Sequence, residues 1–191
     1  MPTVVVATGN PGKLAEMQAH LGLLDWDLQL KPQHIEVNET GTTFITNARI
    51  KASEVAQATG LWAIADDSGL EVDALEGAPG IYSSRYADND QLRINRLLEE
   101  LRDQKTRTAQ FSCAVALAQP DGTIALETQG ICRGEILTEP RGARGFGYDP
   151  IFYVPALNKT FAEMSAAEKQ AISHRGLAFK QLMPQLKQLT F

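Results

Sequence analysis

The sequence predicts an α/β protein built on a mixed β-sheet with helices on its faces. Short apolar runs that are typical of buried strands alternate with segments of helical periodicity along the chain. A hairpin pattern interrupts this alternation, because residues 108–118 and 124–131 both read as strands and only the turn around Pro120-Asp121-Gly122 separates them. A hairpin pairs its strands antiparallel, so we expect a mixed sheet and not a purely parallel one.

Length and composition limit the organisation of the chain. Its 191 residues suit one domain over residues 1–191, large enough to bury about 70% of its unfolded surface. The formal net charge of −5 argues against a general nucleic-acid binder and leaves nucleotides open as ligands. No apolar run reaches the roughly 18 residues of a membrane helix, and the N-terminus has no signal-peptide pattern. We therefore expect a cytoplasmic protein that binds neither nucleic acid nor membrane.

The first unit of the chain is a strand, a polar glycine loop and a helix. Residues 4–7 are apolar, and residues 14–24 have helical periodicity. The loop between them consists of Thr8, Gly9, Asn10, Pro11, Gly12 and Lys13. Glycines permit close backbone approach, a helix N-terminus offers free N–H groups and a lysine adds a charge, so the loop suits a phosphate. The alternative is an ordinary tight turn before a helix.

The following elements alternate between strand and helix patterns. Residues 25–30 and 62–65 predict strands, and residues 43–59 predict a helix with Thr42 or Thr43 as its N-cap. A helix over residues 90–101 would turn four side chains inward, namely Leu92, Leu97, Leu98 and Leu101. Residues 151–154 form a later apolar run that predicts another strand. Two strand segments each contain a cysteine, Cys113 and Cys132, and we expect both thiols to be buried and reduced.

Carboxylates after the strand at residues 62–65 are candidates for chemistry. The phosphate-type loop is not a Walker A motif, since Leu14 replaces the hydroxyl residue that contacts Mg²⁺, so a metal would need carboxylates elsewhere. Asp66-Asp67-Ser68-Gly69 is either a turn before a second strand at residues 70–72 or part of a site. Neighbouring residues of a strand point to opposite sides, so Asp66 and Asp67 need not share a role. Glu39 with Asp67 and substrate phosphates would suffice for Mg²⁺.

The C-terminal region predicts a helix start at Ser165, a short turn over residues 168–172 and a last helix that begins at His174. Ser165 and Glu168 have capping-box spacing, and Ser173 is a candidate cap for a new helix. Lys169, His174 and Arg175 can serve one ligand only if the helix breaks, because the helical period of 3.6 puts them on different faces. A helix N-terminus favours anions and disfavours protonation of His174. The apolar side of the last helix would consist of Leu177, Phe179, Leu182 and Met183.

Six ordered motifs resemble those of a known family. They are Thr8-Gly9-Asn10-Pro11-Gly12-Lys13, Glu39-Thr40-Gly41, Asp66-Asp67-Ser68-Gly69, Gly77-Ala78-Pro79-Gly80, Gly145-Phe146-Gly147-Tyr148-Asp149-Pro150 and Ser173-His174-Arg175. Their joint order resembles the Ham1 or inosine triphosphatase family from the first strand to the last helix. Members of that family are pyrophosphatases of non-canonical purine nucleoside triphosphates, also called XTP/dITP diphosphatases.

The resemblance implies an activity, a fold and a site. The activity is hydrolysis of dITP, ITP and XTP to the monophosphate and pyrophosphate, with Mg²⁺ as cofactor, in a homodimer. The fold is an elongated α/β fold with a central mixed sheet and a cleft between two lobes. Residues 8–13 would hold the triphosphate, Asp67 would be the catalytic carboxylate and a metal ligand beside Glu39, and Ser68 would contact the substrate. The implied remainder of the nucleotide site is Phe146, Gly147, Tyr148, Asp149, Lys169, His174 and Arg175.

Base selection by these residues has a chemical logic. Hypoxanthine and xanthine carry a keto oxygen where adenine carries an amino group, so a donor such as Arg175 or His174 would favour the former. Phe146 and Tyr148 are candidates for stacking on the ring. Two other functions are open: a Maf-like pyrophosphatase acting on pyrimidine or modified nucleotides, and a non-catalytic nucleotide-binding or sensing module that uses the same phosphate loop without turnover.

Overall fold

One mixed β-sheet forms the centre of the fold. The computed structural model describes residues 1–189. Its strands are β1 (Thr3–Val6), β2 (Asp27–Leu30), β3 (Trp62–Val72), β4 (Thr108–Ala118), β5 (Ile124–Ile136), β6 (Phe152–Val154) and β7 (Lys159–Thr160). Over the described residues they form a seven-stranded sheet in the order β2-β1-β3-β4-β5-β6-β7. β1 runs parallel to β2 and β3, whereas the later pairs are antiparallel, so the predicted mixed sheet is confirmed.

The helices begin at side-chain caps that the sequence carries locally. They are α1 (Pro11–Leu21), α2 (Phe44–Thr59), α3 (Asp90–Glu100), α4 (Ala166–Ile172) and α5 (His174–Leu186). Asn10, Thr43 and Asn89 cap the first three. Ser165 caps α4 in a capping box with Glu168, and the chain breaks at Ser173, which caps α5. The predicted start of the last helix at His174 is therefore confirmed, and residues 168–172, predicted as a short turn, belong to helix α4.

Helices cover both faces of the sheet around β1, β3 and β4. α2 lies on a face made of alanines on β3 and β4, such as Ala65 and Ala116, and it contributes small side chains of its own, such as Ala48 and Ala52. α1 and α5 lie on the opposite face. Its buried side chains include Val4, Met17, Ile64, Val115, Leu117, Phe179 and Leu182. The side chains between α2 and the sheet are small, whereas those between the sheet and α1 and α5 are large. Because of this, α2 lies close to the sheet and its polar side chains can reach the strands.

The other end of the long strands carries a separate core cluster. Side chains of β3, β4 and β5 pack there against α3 and the segment after β5. Members of this cluster include Leu70, Phe111, Ile94, Leu97, Ile136, Phe152 and Phe161. The middle of β3, which carries Asp66 and Asp67, lies between this cluster and the two clusters around β1. Among residues 1–189, no helix is long and apolar enough to cross a membrane.

Two predictions about elements were wrong. β3 does not end at Asp66, because every residue from Asp66 to Gly69 pairs with β4, from Val115 back to Ser112. Pairing with a distant strand satisfies the backbone there and outweighs the local preference of Asp, Ser and Gly for turns. Leu92 is 46% exposed and does not point inward. Ile94 and Leu97 are the buried residues of α3, and a residue two positions before Ile94 falls on the opposite side of a helix.

Other boundaries differ by a few residues. α1 begins at Pro11 and ends at Leu21, which is earlier at both ends than residues 14–24, and β5 continues to Ile136. Cys113 and Cys132 are buried free thiols, as predicted. Burial raises the pKa of Cys113 to about 12 and that of Cys132 to about 11, so both are protonated at neutral pH.

Candidate functional site

Two adjoining cavities form one cleft beside the middle of β3. The first is lined by residues of the α1 start, the α4 and α5 region and the loop at residues 145–149. The second is lined by residues of the loop at residues 8–10, the segment around Glu39, and Lys51. Both cavities include Asn10, Lys13, Ser68 and Ser84. The cavities therefore adjoin each other, and every site residue expected from the sequence lines one or both of them.

The loop at residues 8–13 is organised by its own side chains. Oδ1 of Asn10 accepts the N–H groups of Gly12 at 2.9 Å and Lys13 at 3.1 Å, and the Thr8 hydroxyl accepts the Asn10 N–H at 3.2 Å. Two of the N–H groups at the start of α1 are thus already bonded. A Cβ on Gly12 would lie 2.5 Å from the ring of Phe146, so glycine lets that ring approach the loop.

Asp66 points from β3 towards cations of the first cavity. Its Oδ2 accepts hydrogen bonds from Arg175, at 2.8 Å from Nη2 and 3.2 Å from Nε, and lies 3.4 Å from Nζ of Lys13. Burial opposes ionisation, but the charges of Lys13 and Arg175 outweigh it and hold the pKa of Asp66 well below its usual range. Asp66 is therefore a counter-ion that holds Lys13 and Arg175 together.

Asp67 points to the other side of β3 and faces a different set of groups. Its Oδ1 lies 3.1 Å from Nζ of Lys51, and its Oδ2 accepts a hydrogen bond from Nδ2 of Asn47 at 3.2 Å. The same Lys51 nitrogen lies 2.8 Å from Oε1 of Glu39, whose other oxygen pairs with Arg85 at 3.1 Å. Burial raises the pKa of Asp67, although Lys51 partly offsets it. The pKa of Glu39 is lowered, because Lys51 and Arg85 together outweigh the effect of burial.

The cations of the first cavity are tied together by carboxylates. Nζ of Lys169 lies 2.7 Å from both Oε1 of Glu16 and Oδ2 of Asp149, and Nη1 of Arg175 bonds to the other oxygen of Glu16. Oδ2 of Asp149 also accepts the N–H of Phe146 at 2.9 Å. Burial raises the pKa of Asp149 in spite of Lys169. This network holds the loop at residues 145–149 against the ends of α4 and α5.

The aromatic and imidazole groups of this cavity differ in accessibility. Phe146 is half-buried, and Nζ of Lys169 lies 4.8 Å from its ring centre. Tyr148 lines the cavity but is a buried member of the core, and its hydroxyl donates to the carbonyl of Ser83 at 3.0 Å. His174 is buried and stacks on Phe111 with ring centres 4.7 Å apart. Phe146 is therefore the more accessible ring for stacking on a base.

Burial, followed by the charges of Arg175 and Lys169, keeps the pKa of His174 well below its usual value. The sequence predicted disfavoured protonation of His174 from the helix N-terminus, whereas the main cause of the lowered pKa is burial. Its Nδ1 has no hydrogen-bond partner among the described residues. A neutral imidazole presents one donor and one acceptor nitrogen, so it can recognise a polar group of a ligand.

Sequence reasoning missed four residues that contact the expected ones: Glu16, Asn47, Lys51 and Arg85. Asn47 and Lys51 lie four positions apart on α2, the spacing that brings two side chains to one face of a helix. A polar pair among the small apolar residues of that face was the available signal. Glu16 lies one turn after Lys13 on α1, and its sequence neighbourhood gave no comparable signal.

The two carboxylates that contact Lys51 form an oxygen donor set that suits a divalent cation. Glu39 and Asp67 converge on one ammonium nitrogen, so they are close enough to share a positive charge. Among residues 1–189, no group of three or more His, Cys, Asp and Glu side chains could hold a metal. Magnesium is commonly bound by one or two carboxylates together with substrate phosphates, so this smaller donor set fits it.

The fold and the cleft define a class of protein. It is a mixed-sheet α/β protein in which cations and a half-buried aromatic ring line one cavity, while lysines and carboxylates together line the adjoining one. Such a cleft suits a nucleotide with its phosphate chain. The chain belongs to the Ham1 family, whose family model matches residues 4–185.

Curated relatives and solved structures agree with this membership. The chain is 62% identical to a dITP/XTP pyrophosphatase of Nostoc over 96% of this chain and 93% of that protein. It is 60% identical to a protein of the same name from Synechocystis, over 100% of this chain and 98% of that protein. The structure of a HAM1 protein from Coxiella burnetii matches with a TM-score of 0.91 and 46% identity, covering 99% of this chain and 100% of that one. The Staphylococcus aureus Ham1 protein matches with a TM-score of 0.87 and 41% identity, covering 97% and 98%.

Proposed function

We propose that this protein is a nucleoside triphosphate pyrophosphatase that hydrolyses deaminated purine nucleotides, namely dITP, ITP and XTP, to the monophosphate and pyrophosphate. It is a hydrolase acting on acid anhydrides and removes these nucleotides from the pool that polymerases use. The relatives named dITP/XTP pyrophosphatase support this function. The observation that carries the site assignment is the opposite orientation of Asp66 and Asp67. Asp66 binds Arg175 on one side of β3, and Asp67, the proposed catalytic carboxylate, faces Lys51 on the other.

The triphosphate is bound by the loop at residues 8–13. Lys13 supplies a full charge, and the Asn10 amide and Thr8 hydroxyl keep donor protons after the bonds they accept within the loop. Ser68 lines both cavities, and its Oγ accepts a hydrogen bond from Arg175 at 2.9 Å. It therefore stands where the nucleoside and phosphate parts of a substrate meet.

The reaction is attack of water on the α-phosphorus. The new bond joins the water oxygen to that phosphorus, and the bond to the oxygen that bridges the α- and β-phosphorus breaks, so pyrophosphate leaves. Asp67 orients the water and accepts its proton. In the metal-free protein burial raises the pKa of Asp67, which favours its acceptance of a proton. Lys13 stabilises the negative charge of the leaving pyrophosphate.

Enzymes of this family generally need a divalent metal, and we propose Mg²⁺ as that metal. Glu39 and Asp67 would hold it together with phosphate oxygens, since both carboxylates converge on Lys51. When bound, it supplies positive charge that neutralises the phosphate chain. Lys51 holds the two carboxylates together and balances part of their charge.

Base selection falls to Arg175, with Phe146 stacking on the ring. Within the described residues, Arg175 donates to Asp66 twice, to Glu16 and to Ser68, which leaves one Nη1 proton of its five N–H groups for a ligand. That proton would pair with the keto oxygen of hypoxanthine or xanthine. Adenine has an amino group there, and leaving a buried polar group unpaired costs about 1–3 kcal/mol.

Homodimerisation and a cytoplasmic location stay predictions. So does the extent of the domain, because residues 190–191 lie outside the described part of the chain. A non-catalytic nucleotide-binding module is not favoured, since such a module needs the lysines of the cleft but not a buried carboxylate such as Asp67. A Maf-like enzyme of different base specificity is not favoured either, because the relatives are named for dITP and XTP.

The deciding experiment measures pyrophosphate and free phosphate released from ITP, XTP, dITP, GTP, ATP and dTTP, with and without Mg²⁺. We expect pyrophosphate from the first three nucleotides only, and only with the metal. Release of single phosphates would contradict attack at the α-phosphorus, and a preference for dTTP would contradict the base assignment. Binding of ITP without any product would replace the enzyme by a binding module.

A further inference from the structure

We propose that Asn47 is a positioning residue for hydrolysis, because it links the backbone next to Glu39 to the carboxylate of Asp67 and so keeps the two carboxylates converged. The inference rests on the proposed function, since it takes Asp67 as the catalytic carboxylate and Glu39 as its partner. Asn47 lines neither cavity of the cleft, and it acts through the residues that do.

Both ends of the Asn47 amide are used. Its Oδ1 accepts the backbone N–H of Gly41 at 2.8 Å, and its Nδ2 donates to Oδ2 of Asp67 at 3.2 Å. The two bonds define the orientation of the amide, because a flipped amide would direct its NH₂ at the Gly41 N–H and its oxygen at a carboxylate. Gly41 is two residues after Glu39, so the bond ties the segment that carries Glu39 to helix α2.

Asn47 and Lys51 each bind one oxygen of the Asp67 carboxylate. Asn47 takes Oδ2, whereas Lys51 takes Oδ1 and also contacts Glu39. The two residues are one helical turn apart on α2, and Ala48 and Ala52 beside them are fully buried against the sheet. The helix is therefore a rigid base from which both oxygens of Asp67 are held. Lys51 has a flexible stem and can follow Asp67, whereas the short side chain of Asn47 cannot.

The position of Asn47 argues for a role beyond folding. It is completely buried within α2, where asparagine is a poor helix former and its desolvated amide must find partners. An apolar residue would satisfy the packing of this face, as its neighbours Ala48, Ala52 and Val55 do. Both partners of the amide belong to the carboxylate side of the cleft. Without the amide, Oδ2 of Asp67 would lose its donor and the Glu39 segment would lose its tether.

Two variants break this link from opposite ends. Asn47→Ala removes the amide. Gly41→Ala leaves the amide in place but adds a Cβ 2.6 Å from its Oδ1 and 2.8 Å from the Thr46 side chain, so the segment must move away. Ser53→Ala is the matched control, because Ser53 also lies on α2 and bonds to the Gly122 carbonyl at 2.8 Å, away from both cavities. Asp67→Asn is the fourth variant and replaces the carboxylate that Asn47 is proposed to position.

Turnover of ITP with Mg²⁺ and binding of Mn²⁺ to the nucleotide-free protein, followed by electron paramagnetic resonance, would be measured for each variant. We expect Asn47→Ala and Gly41→Ala to lower kcat by about 10–100-fold and to weaken Mn²⁺ binding by about tenfold, as loss of a hydrogen bond to a metal ligand typically does. At Mg²⁺ concentrations that saturate each variant, the KM for ITP should stay within about threefold, because the residues that bind the base and the loop that binds the triphosphate are unchanged. Ser53→Ala should match the wild type in every measurement.

Wild-type kcat and Mn²⁺ affinity in a folded Asn47→Ala protein would overturn the inference. So would a parallel rise in KM for ITP, which would point to a general distortion of the cleft. If Asn47→Ala does not unfold cooperatively on heating, Gly41→Ala decides by the same criteria. Asp67→Asn distinguishes failure of the proposed function from failure of the role given to Asn47. An active Asp67→Asn protein would overturn the proposed function. An inactive Asp67→Asn protein together with a fully active Asn47→Ala protein would overturn only the role of Asn47.

Discussion

Asp66 and Asp67 are neighbours on one strand, yet their carboxylates bind cations on opposite sides of the sheet. Asp66 holds Arg175 and Lys13, whereas Asp67 contacts Lys51. The alternation of side chains along a strand produces this division without any special backbone geometry. The two environments also shift the pKa values of the two residues in opposite directions. The same chemical group is therefore a fixed counter-ion at one position and, in the proposed mechanism, a proton acceptor at the next.

Replacing Asp66 should destabilise the protein strongly. Asp66→Asn would remove the buried charge that balances Arg175 and Lys13, and breaking a buried ion pair on one side costs about 3–5 kcal/mol. The free energy of unfolding would be measured by urea denaturation. Asp88→Asn, at an exposed position, is the control and should change it by less than about 0.5 kcal/mol. A stable Asp66→Asn protein would contradict the assignment of Asp66 as an essential counter-ion.

Replacing Asp67 should have the reverse pattern, with activity lost and stability kept. Burial disfavours the ionised form of Asp67, and a neutral amide removes that cost; because its NH₂ would face Lys51 or Asn47, we expect the free energy of unfolding to change by much less than in Asp66→Asn. Loss of the proton acceptor should lower kcat by about 10²–10⁴-fold. Steady-state kinetics with ITP and urea denaturation of Asp67→Asn would check both parts. A variant that is both inactive and clearly less stable would indicate a structural role for this carboxylate.

Local signals explain which parts of this structure could be predicted from the sequence. Asn10, Ser165 and Ser173 bond to backbone groups within three residues of themselves, so the starts of α1, α4 and α5 could be predicted from the chain alone. The continuity of β3 could not, because it depends on pairing with β4, which lies about forty residues further on. The cleft residues were found as motifs on loops and helix starts.

The residues that support the cleft were harder to find. Asn47, Lys51 and Glu16 are single polar residues within helices, where exposed polar residues are common. Their importance follows from the face that each helix turns to the sheet and from which strand lies beneath it. Tyr148 illustrates the same limit, since its motif predicted a ligand contact but did not reveal that its hydroxyl bonds to Ser83 within the core. Docking of helices on the sheet is a tertiary property that short motifs do not encode.

A change at Arg175 should reduce the preference for deaminated bases. Arg175→Lys keeps a positive charge but loses the planar fork that bonds Asp66, Glu16 and Ser68 together. The ratio of kcat/KM for ITP to that for ATP should fall about tenfold or more, since the keto oxygen would lose a fixed donor worth about 1–3 kcal/mol.

The measurement is a comparison of kcat/KM for the two nucleotides with the same enzyme preparation. Arg141→Lys is the control, because Arg141 is a partly exposed arginine that pairs with Glu163 at 2.7 Å away from the cleft. An unchanged ITP-to-ATP ratio in Arg175→Lys would assign base selection to another group, of which His174 is the first candidate.

His174 should make the protein less stable as the pH falls from about 6.5 to 5. Burial, together with Arg175 and Lys169, keeps the folded-state pKa of His174 well below its usual value, whereas in the unfolded chain the imidazole binds a proton near pH 6.5. The unfolded state therefore binds more protons than the folded state between pH 6.5 and 5. Each pH unit of decrease within this range lowers the free energy of unfolding by up to about 1.4 kcal/mol. Above about pH 6.5 both states are neutral and the effect vanishes.

Urea denaturation midpoints measured across this pH range would test the prediction. His174→Phe keeps the stacking on Phe111 and removes the titrating group, so its midpoint should vary less with pH than that of the wild type. His20→Phe is the matched comparison, because His20 also stacks on a phenylalanine, Phe179. Burial is the main cause that lowers the pKa of His20 as well, but this side chain is only half-buried. Its removal should flatten the profile less. Equal slopes for wild type and His174→Phe would mean that His174 is protonated in the folded protein at pH 5 as readily as in the unfolded chain.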